Sequence, residues 1–317
     1  MPDDLVRARL TAIRYAAHET NLYEFRRLDG GGWPAAAPGA HIDLHLPNGV
    51  MRQYSLVHAG QAPEVYVVGV KRDRASRGGS LYMHDKLLVG AQLNIGGPRN
   101  NFPLVETAPL TVLFAGGIGI TPIMCMIERL ETLGRAWRLY YSCRSRNETA
   151  FLRELQDKGG DRVVFNFDDE NGGKFLDLAA IAATTPKDAH LYCCGPTPMI
   201  KAFEAATASW PGGQIHVEYF TAAEAAATEG GYIVELRRSK REIAVPPGKS
   251  ILEMLREAGV DVTTSCEEGV CGACETPVIS GVPDHRDMIL TASERAASKT
   301  MMICCSGSKS DRLALDL

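Results

Sequence analysis

The sequence predicts a multi-domain chain: an antiparallel β-barrel, then a doubly wound α/β domain with a parallel sheet, then a small α+β module of β-grasp type. Three observations carry this. Short β-rich runs punctuated by Gly and Pro fill the N-terminal part. Strand and helix alternate from about residue 109. A tight cysteine loop then follows a further strand pair and a helix. The expected boundaries are 1–106, 107–222, a linker at 223–230, and 231–317.

In the first part, His41–Leu46 alternates apolar and polar residues, Pro47-Asn48-Gly49 supplies a turn, and Arg52–Leu56 resumes an extended run. Glu64–Val70 is another strand. In the second part, Leu110–Ala115 is an apolar strand, and Gly116-Gly-Ile-Gly-Ile-Thr-Pro122 leads into a helix ending near Gly134. Strands are expected at Trp137–Ser142, Arg162–Phe167, His190–Cys194 and Ile215–Tyr219. Helices are expected at Ala150–Gln156, Leu176–Ala183 and Thr197–Ser209. Residues 221–230 are small and polar, a linker whose alanines favour helix. Tyr232–Leu236 and Glu242–Val245 form a strand pair, and Ser250–Ala258 is an amphipathic helix ended by Gly259.

A hydrophobic content of 45%, a charged content of 23% and a net charge of −4 describe a globular protein with no nucleic-acid footprint. No apolar run approaches the roughly 18 residues a membrane span needs, and no signal segment leads the chain. The plain reading is cytoplasmic, with no membrane partner. Nine cysteines in a chain of this size and type do not form a secretory disulfide framework.

Cys266, Cys271 and Cys274, with Cys304 further on, have the C-x₄-C-x₂-C…C spacing of a plant-type ferredoxin, whose four thiolates hold a 2Fe–2S cluster. Gly269, Gly272 and Ala273 between them let the loop curl and aim N–H groups at sulfur. A zinc site is the competing reading of a Cys-x₂-Cys pair, but zinc calls for a second close pair. Cys304 and Cys305 both stand where the fourth ligand belongs; position favours Cys304.

Gly116–Pro122 lies at a strand-to-helix junction, where glycines admit a pyrophosphate and the helix N-terminus favours its charge. Pro122 suits the first helical turn. Cys194-Gly195-Pro196 ends a later strand, so both turns face one crevice by the switch-point rule. Each turn could also be a plain tight bend. Arg52-Gln53-Tyr54-Ser55 offers a cation, an aromatic face and a hydroxyl; Ser76-Arg77-Gly78-Gly79-Ser80 offers a phosphate cradle. Together they suit a phosphorylated, planar cofactor.

In this order the five motifs resemble the phthalate dioxygenase reductase family, which includes reductases of vanillate and other aromatic O-demethylases. The resemblance covers essentially the whole chain. It implies an FMN-binding barrel, a central NADH domain and a C-terminal ferredoxin. Arg52, Gln53, Tyr54 and Ser55 would then contact the flavin, with Gly69 and Lys71 on the neighbouring strand, while Arg77, Gly78, Gly79 and Ser80 hold its phosphate. Gly117, Gly119, Thr121, Pro122, Cys194, Gly195 and Pro196 would line the nicotinamide site, with Cys194 and Thr121 at the reacting ring. Phe220 would cover the flavin, a role Tyr219 could also fill. The family pattern leads one to expect Arg at Gly307. Ser142, Arg144 and Arg146 could bind a 2′-phosphate and so favour NADPH, whereas the family favours NADH.

A nicotinamide gives up two electrons as a hydride and a 2Fe–2S cluster takes one, so a flavin between them must store a pair and release singles. Hydride transfer needs no acid–base pair, so His18, His58 and His84 read as structural or surface groups. Asp284-His285-Arg286-Asp287 is either a solvated turn or a docking edge for the electron acceptor. The expected partner is a Rieske-type terminal oxygenase, docked transiently through the ferredoxin domain of a monomer. A haem-thiolate monooxygenase is the alternative acceptor, and a redox-sensing flavoprotein the alternative class.

Overall fold

A computed structural model of the protein describes residues 5–58, 60, 63–74, 78–222 and 224–317. The N-terminal runs form β1 (Val6–Ala17), β2 (Thr20–Arg27), β3 (His41–His45), β4 (Met51–Ser55), β5 (Tyr66–Lys71), a short helix α1 (Gly79–Asp85) and β6 (Gln92–Arg99). The pairings are antiparallel in the order β4-β3-β6-β1-β2-β5. A bridge from Leu56 to Val68 and the bond from Val57 N–H to the Val67 carbonyl (3.0 Å) join the two edge strands into a barrel. Leu10, Tyr23, Phe25, Ile42, Leu44 and Val68 fill its core. Trp33 stacks on Tyr66 at 4.5 Å and donates its indole N–H to the Phe25 carbonyl (3.0 Å).

The alternating region forms β7 (Leu110–Gly116), α2 (Ile120–Thr132), β8 (Ala136–Cys143), α3 (Leu152–Gly159), β9 (Val163–Phe167), α4 (Leu178–Thr184), β10 (His190–Cys194), α5 (Thr197–Ala206) and β11 (Ile215–Glu218). All five strands are parallel, in the order β11-β10-β7-β8-β9. The chain winds from β7 towards β9, then crosses back to β10, which puts the switch point between β7 and β10. Asp177 caps α4 by accepting the Ala180 N–H (2.9 Å).

The barrel and the parallel sheet belong to one compact unit running to Phe220. One apolar cluster holds Leu22, Val57 and Val67 from the barrel together with Leu113, Ile123, Met124 and Tyr141.

The second unit is Thr221–Leu317. It contains β12 (Tyr232–Leu236), β13 (Arg241–Val245), α6 (Ile251–Glu257), β14 (Glu275–Ser280), β15 (Pro283–Asp284), α7 (Ala292–Ala297), β16 (Thr300–Met302), β17 (Gly307–Ser308) and β18 (Arg312–Leu315). Its main sheet runs β13-β12-β18-β14-β16, with β12 and β18 parallel, the mixed sheet of a β-grasp module. Capping boxes start both helices, Ser250 with Glu253 and Thr291 with Glu294. Residues 221–230 carry no helix where described. Ala227, expected in a free linker, is instead 3% exposed and donates its N–H to the Cys305 carbonyl (2.7 Å). A Cβ on Gly307 would lie 2.8 Å from the Ala227 methyl, which explains why no larger residue stands at 307.

This unit has its own core of Val234, Leu252, Leu255, Met301, Ile303 and Leu313. A fragment spanning 221–317 is therefore expected to fold by itself. Cooperative thermal unfolding by circular dichroism checks this; a featureless melt would count against it.

Candidate functional site

Where β7 ends, a single tight turn over Gly117–Gly119 carries the chain into α2. Gly117 has φ +52°, which suits glycine. A Cβ on Gly119 would sit 2.2 Å from the Cys194 carbonyl oxygen, and one on Gly116 would sit 2.6 Å from Pro196 Cδ. The two turns are thus interlocked at the switch point. Pro122 lies buried in the first turn of α2. Thr121 is 2% exposed and donates its hydroxyl to the Ile118 carbonyl (3.0 Å). A Cβ on Gly69 would meet the Thr121 methyl at 2.6 Å, so Gly69 makes room for α2 against the barrel strand. Its absent side chain is therefore explained by packing, whatever its backbone meets.

Cys194 is fully buried, and its Sγ lies 3.9 Å from Glu218 Oε2 on the neighbouring strand. The Ser55 hydroxyl, from the barrel, bonds the same carboxyl. Loss of water around that carboxyl pushes the Glu218 pKa up to about 8, and burial next to Glu218 raises the Cys194 thiol as well. Glu218 escaped the sequence reading. It stands at the carboxyl end of β11 in register with Cys194, so the rule that found Cys194 would have found it.

On the barrel side, Arg52 lies across the start of α1: a Cβ on Gly79 would meet its Cγ at 2.6 Å. Gly78 has φ +90°, its carbonyl accepts from Asn48 Nδ2 (3.3 Å), and Ser80 Oγ accepts the Asp73 N–H (3.1 Å). Arg52, Gly78, Gly79 and Ser80 therefore come together, while Ser76 and Arg77 lie outside the described residues. Tyr54 packs against the barrel core, and burial raises its phenol pKa. Gln53 Nε2 is buried without a hydrogen-bond partner. Lys71 Nζ pairs with Glu148 Oε2 at 2.9 Å, a carboxylate of the α/β region.

The two aromatic candidates part company. Tyr219 is 8% exposed and donates its hydroxyl to Glu204 (2.9 Å), which fixes it on α5, whereas Phe220 is exposed. Of the basic candidates, Arg146 is chelated by Glu170 (2.5 and 2.9 Å) and lies over the Phe167 ring, and the Ser142 hydroxyl accepts from Asn166 (3.1 Å). The histidines are structural where they bond: His58 to Glu128 (2.7 Å) and His84 Nε2 to the Val70 carbonyl (2.9 Å).

In the second unit Cys266, Cys271, Cys274, Cys304 and Cys305 are all buried. The N–H groups of Glu268 and Val270 point at Cys266 Sγ (3.3 and 3.4 Å), and that of Ala273 at Cys271 Sγ (3.4 Å). Gly269 and Gly272 take φ +72° and +77°, which curls the loop. Cys266 meets both Cys271 and Cys304, while Cys305 turns its S–H to the Met302 carbonyl (3.7 Å). Among the described residues no three Cys, His, Asp or Glu side chains are gathered closely enough to hold a single metal ion.

In Asp284-His285-Arg286-Asp287 the first three residues are half-buried and the last is enclosed. Asp284 is tied to Arg286 (2.7 Å) and Lys309 (3.5 Å), the His285 side chain is 8% exposed, and Asp287 is fully buried. The β15–β17 pairing sets Asp284 opposite Gly307, and the Met288 N–H just beyond the tetrad bonds the Gly269 carbonyl of the cysteine loop (2.8 Å).

Residues 234–308 match the family model of the 2Fe-2S iron-sulfur cluster binding domain, and residues 113–205 that of the oxidoreductase NAD-binding domain. This replaces the zinc reading. The chain is 52% identical over 312 residues to "Phenoxybenzoate dioxygenase subunit beta" of Ectopseudomonas oleovorans, covering 98% of this chain and 97% of that one. It superposes on the solved structure of phthalate dioxygenase reductase with a TM-score of 0.75 and 37% identity, covering 99% and 98% of the two chains. A type IV self-sufficient cytochrome P450 monooxygenase gives a TM-score of 0.88 and 39% identity over 99% of this chain, which spans 41% of that protein. Among the described residues no helix is long and apolar enough to cross a membrane.

Two outcomes follow from this geometry. Gly119→Ala should cost about 3 kcal/mol, because a rigid carbonyl occupies the space of the new methyl; an unchanged denaturation midpoint would refute the interlock. A carboxyl whose pKa is raised on folding stabilises fully below its unfolded value of 4.5 and loses that contribution as pH rises to about 8. Glu218→Gln removes this dependence. On flavin-free protein the variant should gain on wild type by at most about 1.4 kcal/mol per pH unit across that window. Parallel melting-temperature curves would show that Glu218 ionises normally.

Proposed function

Because the chain belongs to the phthalate dioxygenase reductase family, we propose that it oxidises NADH, splits the electron pair on FMN and sends single electrons through its 2Fe–2S cluster to a Rieske-type oxygenase. Reductase function and an oxygenase partner follow from the family; the Rieske class, transient docking through the ferredoxin unit, a monomeric state and a cytoplasmic location are our reading. The observation that carries it is the interlock of two glycine turns at a switch point, in a chain that also bears a plant-type cysteine loop.

The barrel residues fit a flavin mononucleotide. Gln53 Nε2, a buried donor without a partner, supports this, because a flavin ring presents carbonyl acceptors. Arg52, Gly78, Gly79 and Ser80, with Arg77, would hold the phosphate; Gln53, Tyr54 and Ser55 would meet the ring. FMN, when bound, supplies the exchange between paired and single electrons. The interlocked turns would form one floor for the dinucleotide, Gly117 facing open space and Gly119, Thr121, Cys194, Gly195 and Pro196 completing it. Glu218, whose pKa burial raises to about 8, accepts from the Ser55 hydroxyl and the Cys194 thiol, which ties the barrel to this floor beside the nicotinamide site. Exposed Phe220, rather than Tyr219, is the residue able to lie over a flavin and yield. Cys266, Cys271, Cys274 and Cys304 would bind the cluster.

Arg146 and Ser142 are already engaged, which leaves a 2′-phosphate poorly served and favours NADH. A cytochrome P450 as acceptor is the second reading, favoured by the likeness to 41% of the self-sufficient P450 monooxygenase chain. A redox sensor would have no use for a nicotinamide crevice.

Anaerobic NADH should bleach both flavin and cluster absorption of the purified protein. Bleaching confined to the flavin would break the proposed chain. The kcat/KM for NADH should exceed that for NADPH by about tenfold or more, equivalent to about 1.4 kcal/mol; equal values would restore Arg144 and Arg146 as phosphate ligands. Cys304→Ser should abolish the cluster spectrum while Cys305→Ser keeps it; the reverse result would exchange the two roles.

A further inference from the structure

Asp287 is a fully buried carboxylate placed against the cysteine loop. A Cβ built on Gly269, midway between Cys266 and Cys271, would lie 3.0 Å from Asp287 Cα and 3.2 Å from its Cβ. The next residue, Met288, donates its N–H to the Gly269 carbonyl (2.8 Å). Asp287 Oδ2 accepts the N–H groups of Ile289 (3.1 Å) and Leu290 (2.8 Å). Its Oδ1 makes no hydrogen bond and faces His285 Nδ1 at 3.6 Å.

The carboxylate is only partly compensated. His285 Nδ1 stands 3.6 Å away, and burial lowers its pKa against the pull of Asp287, so it is not what supplies a permanent cation. Arg295 does: its Nη2 lies 3.9 Å from Oδ2, it donates to the Asp287 carbonyl, and its Nε bonds the Leu290 carbonyl (3.0 Å). Arg295 is one-third exposed, so water weakens its side of the pair. Two backbone N–H groups could be served by a neutral side chain. What an aspartate adds is a fixed negative charge in a medium that screens poorly.

Reduction of a cluster adds one negative charge to it, so fixed charges nearby shift its potential in a known direction. We infer that Asp287 and Arg295 are a positioning pair beneath the loop that sets the cluster's reduction potential, Asp287 lowering it and Arg295 raising it. This rests on the four-cysteine assignment above.

The test is an anaerobic potentiometric titration of the full-length protein, following the reduced cluster by electron paramagnetic resonance at fixed pH and salt. Asp287→Asn keeps the shape and one acceptor oxygen, and should raise the reduced-to-oxidised ratio at a given potential about tenfold, a shift of about +59 mV for one electron. Arg295→Gln should shift it the other way. Opposite signs separate electrostatics from loosening of the loop, which would move both variants alike. Unchanged potentials in both, or shifts of the same sign, would overturn the inference. If Asp287→Asn fails to retain the cluster, Arg295→Gln decides alone: a lowered potential supports the pair, and an unchanged or raised one refutes it. A wild-type protein without cluster absorption would overturn the cysteine assignment itself, and the inference with it.

Discussion

The contact between Gly119 and the Cys194 carbonyl is the constraint on which the first unit depends. Neighbouring parallel strands normally diverge into loops at their carboxyl ends, and a crevice opens there. Here the turn after β7 presses on the end of β10 with no space for a methyl group between them. The start of α2 is fixed by that contact. Thr121, in its first turn, then meets Gly69 on the barrel, so one backbone approach helps set both the nucleotide turn and the seating of the barrel. The shared apolar cluster follows: Leu22, Val57 and Val67 pack with Ile123 and Met124 because α2 stands where it does.

A second constraint acts through charge rather than shape. Ser55 belongs to the barrel, while Cys194 and Glu218 belong to the parallel sheet, yet all three share one carboxyl's hydrogen bonds. Burial makes that carboxyl favour its proton, which lets it sit beside a thiol without an unpaired charge. Lys71 with Glu148 and His58 with Glu128 add polar ties between the same two regions. These ties involve residues far apart in the chain, which is why local pattern reading could not foresee them.

The strand and helix order was legible because apolar runs, turn residues and helix caps are local signals. His190–Cys194 and Tyr232–Leu236 appear at the expected bounds. The glycine turns and the curl of the cysteine loop were legible too, since glycine at a positive φ or a close approach has few substitutes. Burial and partner choice were not. The approach of Thr121 to Gly69 was not legible, because a glycine that spares a ligand and one that spares a helix look alike in sequence. The pairing of Lys71 with Glu148 was not legible because the carboxylate lies on another element. Ala227 read as linker because small residues serve both a flexible segment and a tight seat, here over Gly307.

The sequence Asp284-His285-Arg286-Asp287 shows this limit most sharply. Charged residues are usually exposed, so a charged tetrad reads as surface. Its alternation decides otherwise: Asp284 and Arg286 pair with each other, while His285 and Asp287 turn inward onto one another. An inward carboxylate is costly unless something binds it, and here two N–H groups and Arg295 do so. The same packing that hides Asp287 from an acceptor protein places its charge against Gly269. A stretch suited by composition to steering a partner is thus placed, by burial, to act on the electron before any partner arrives.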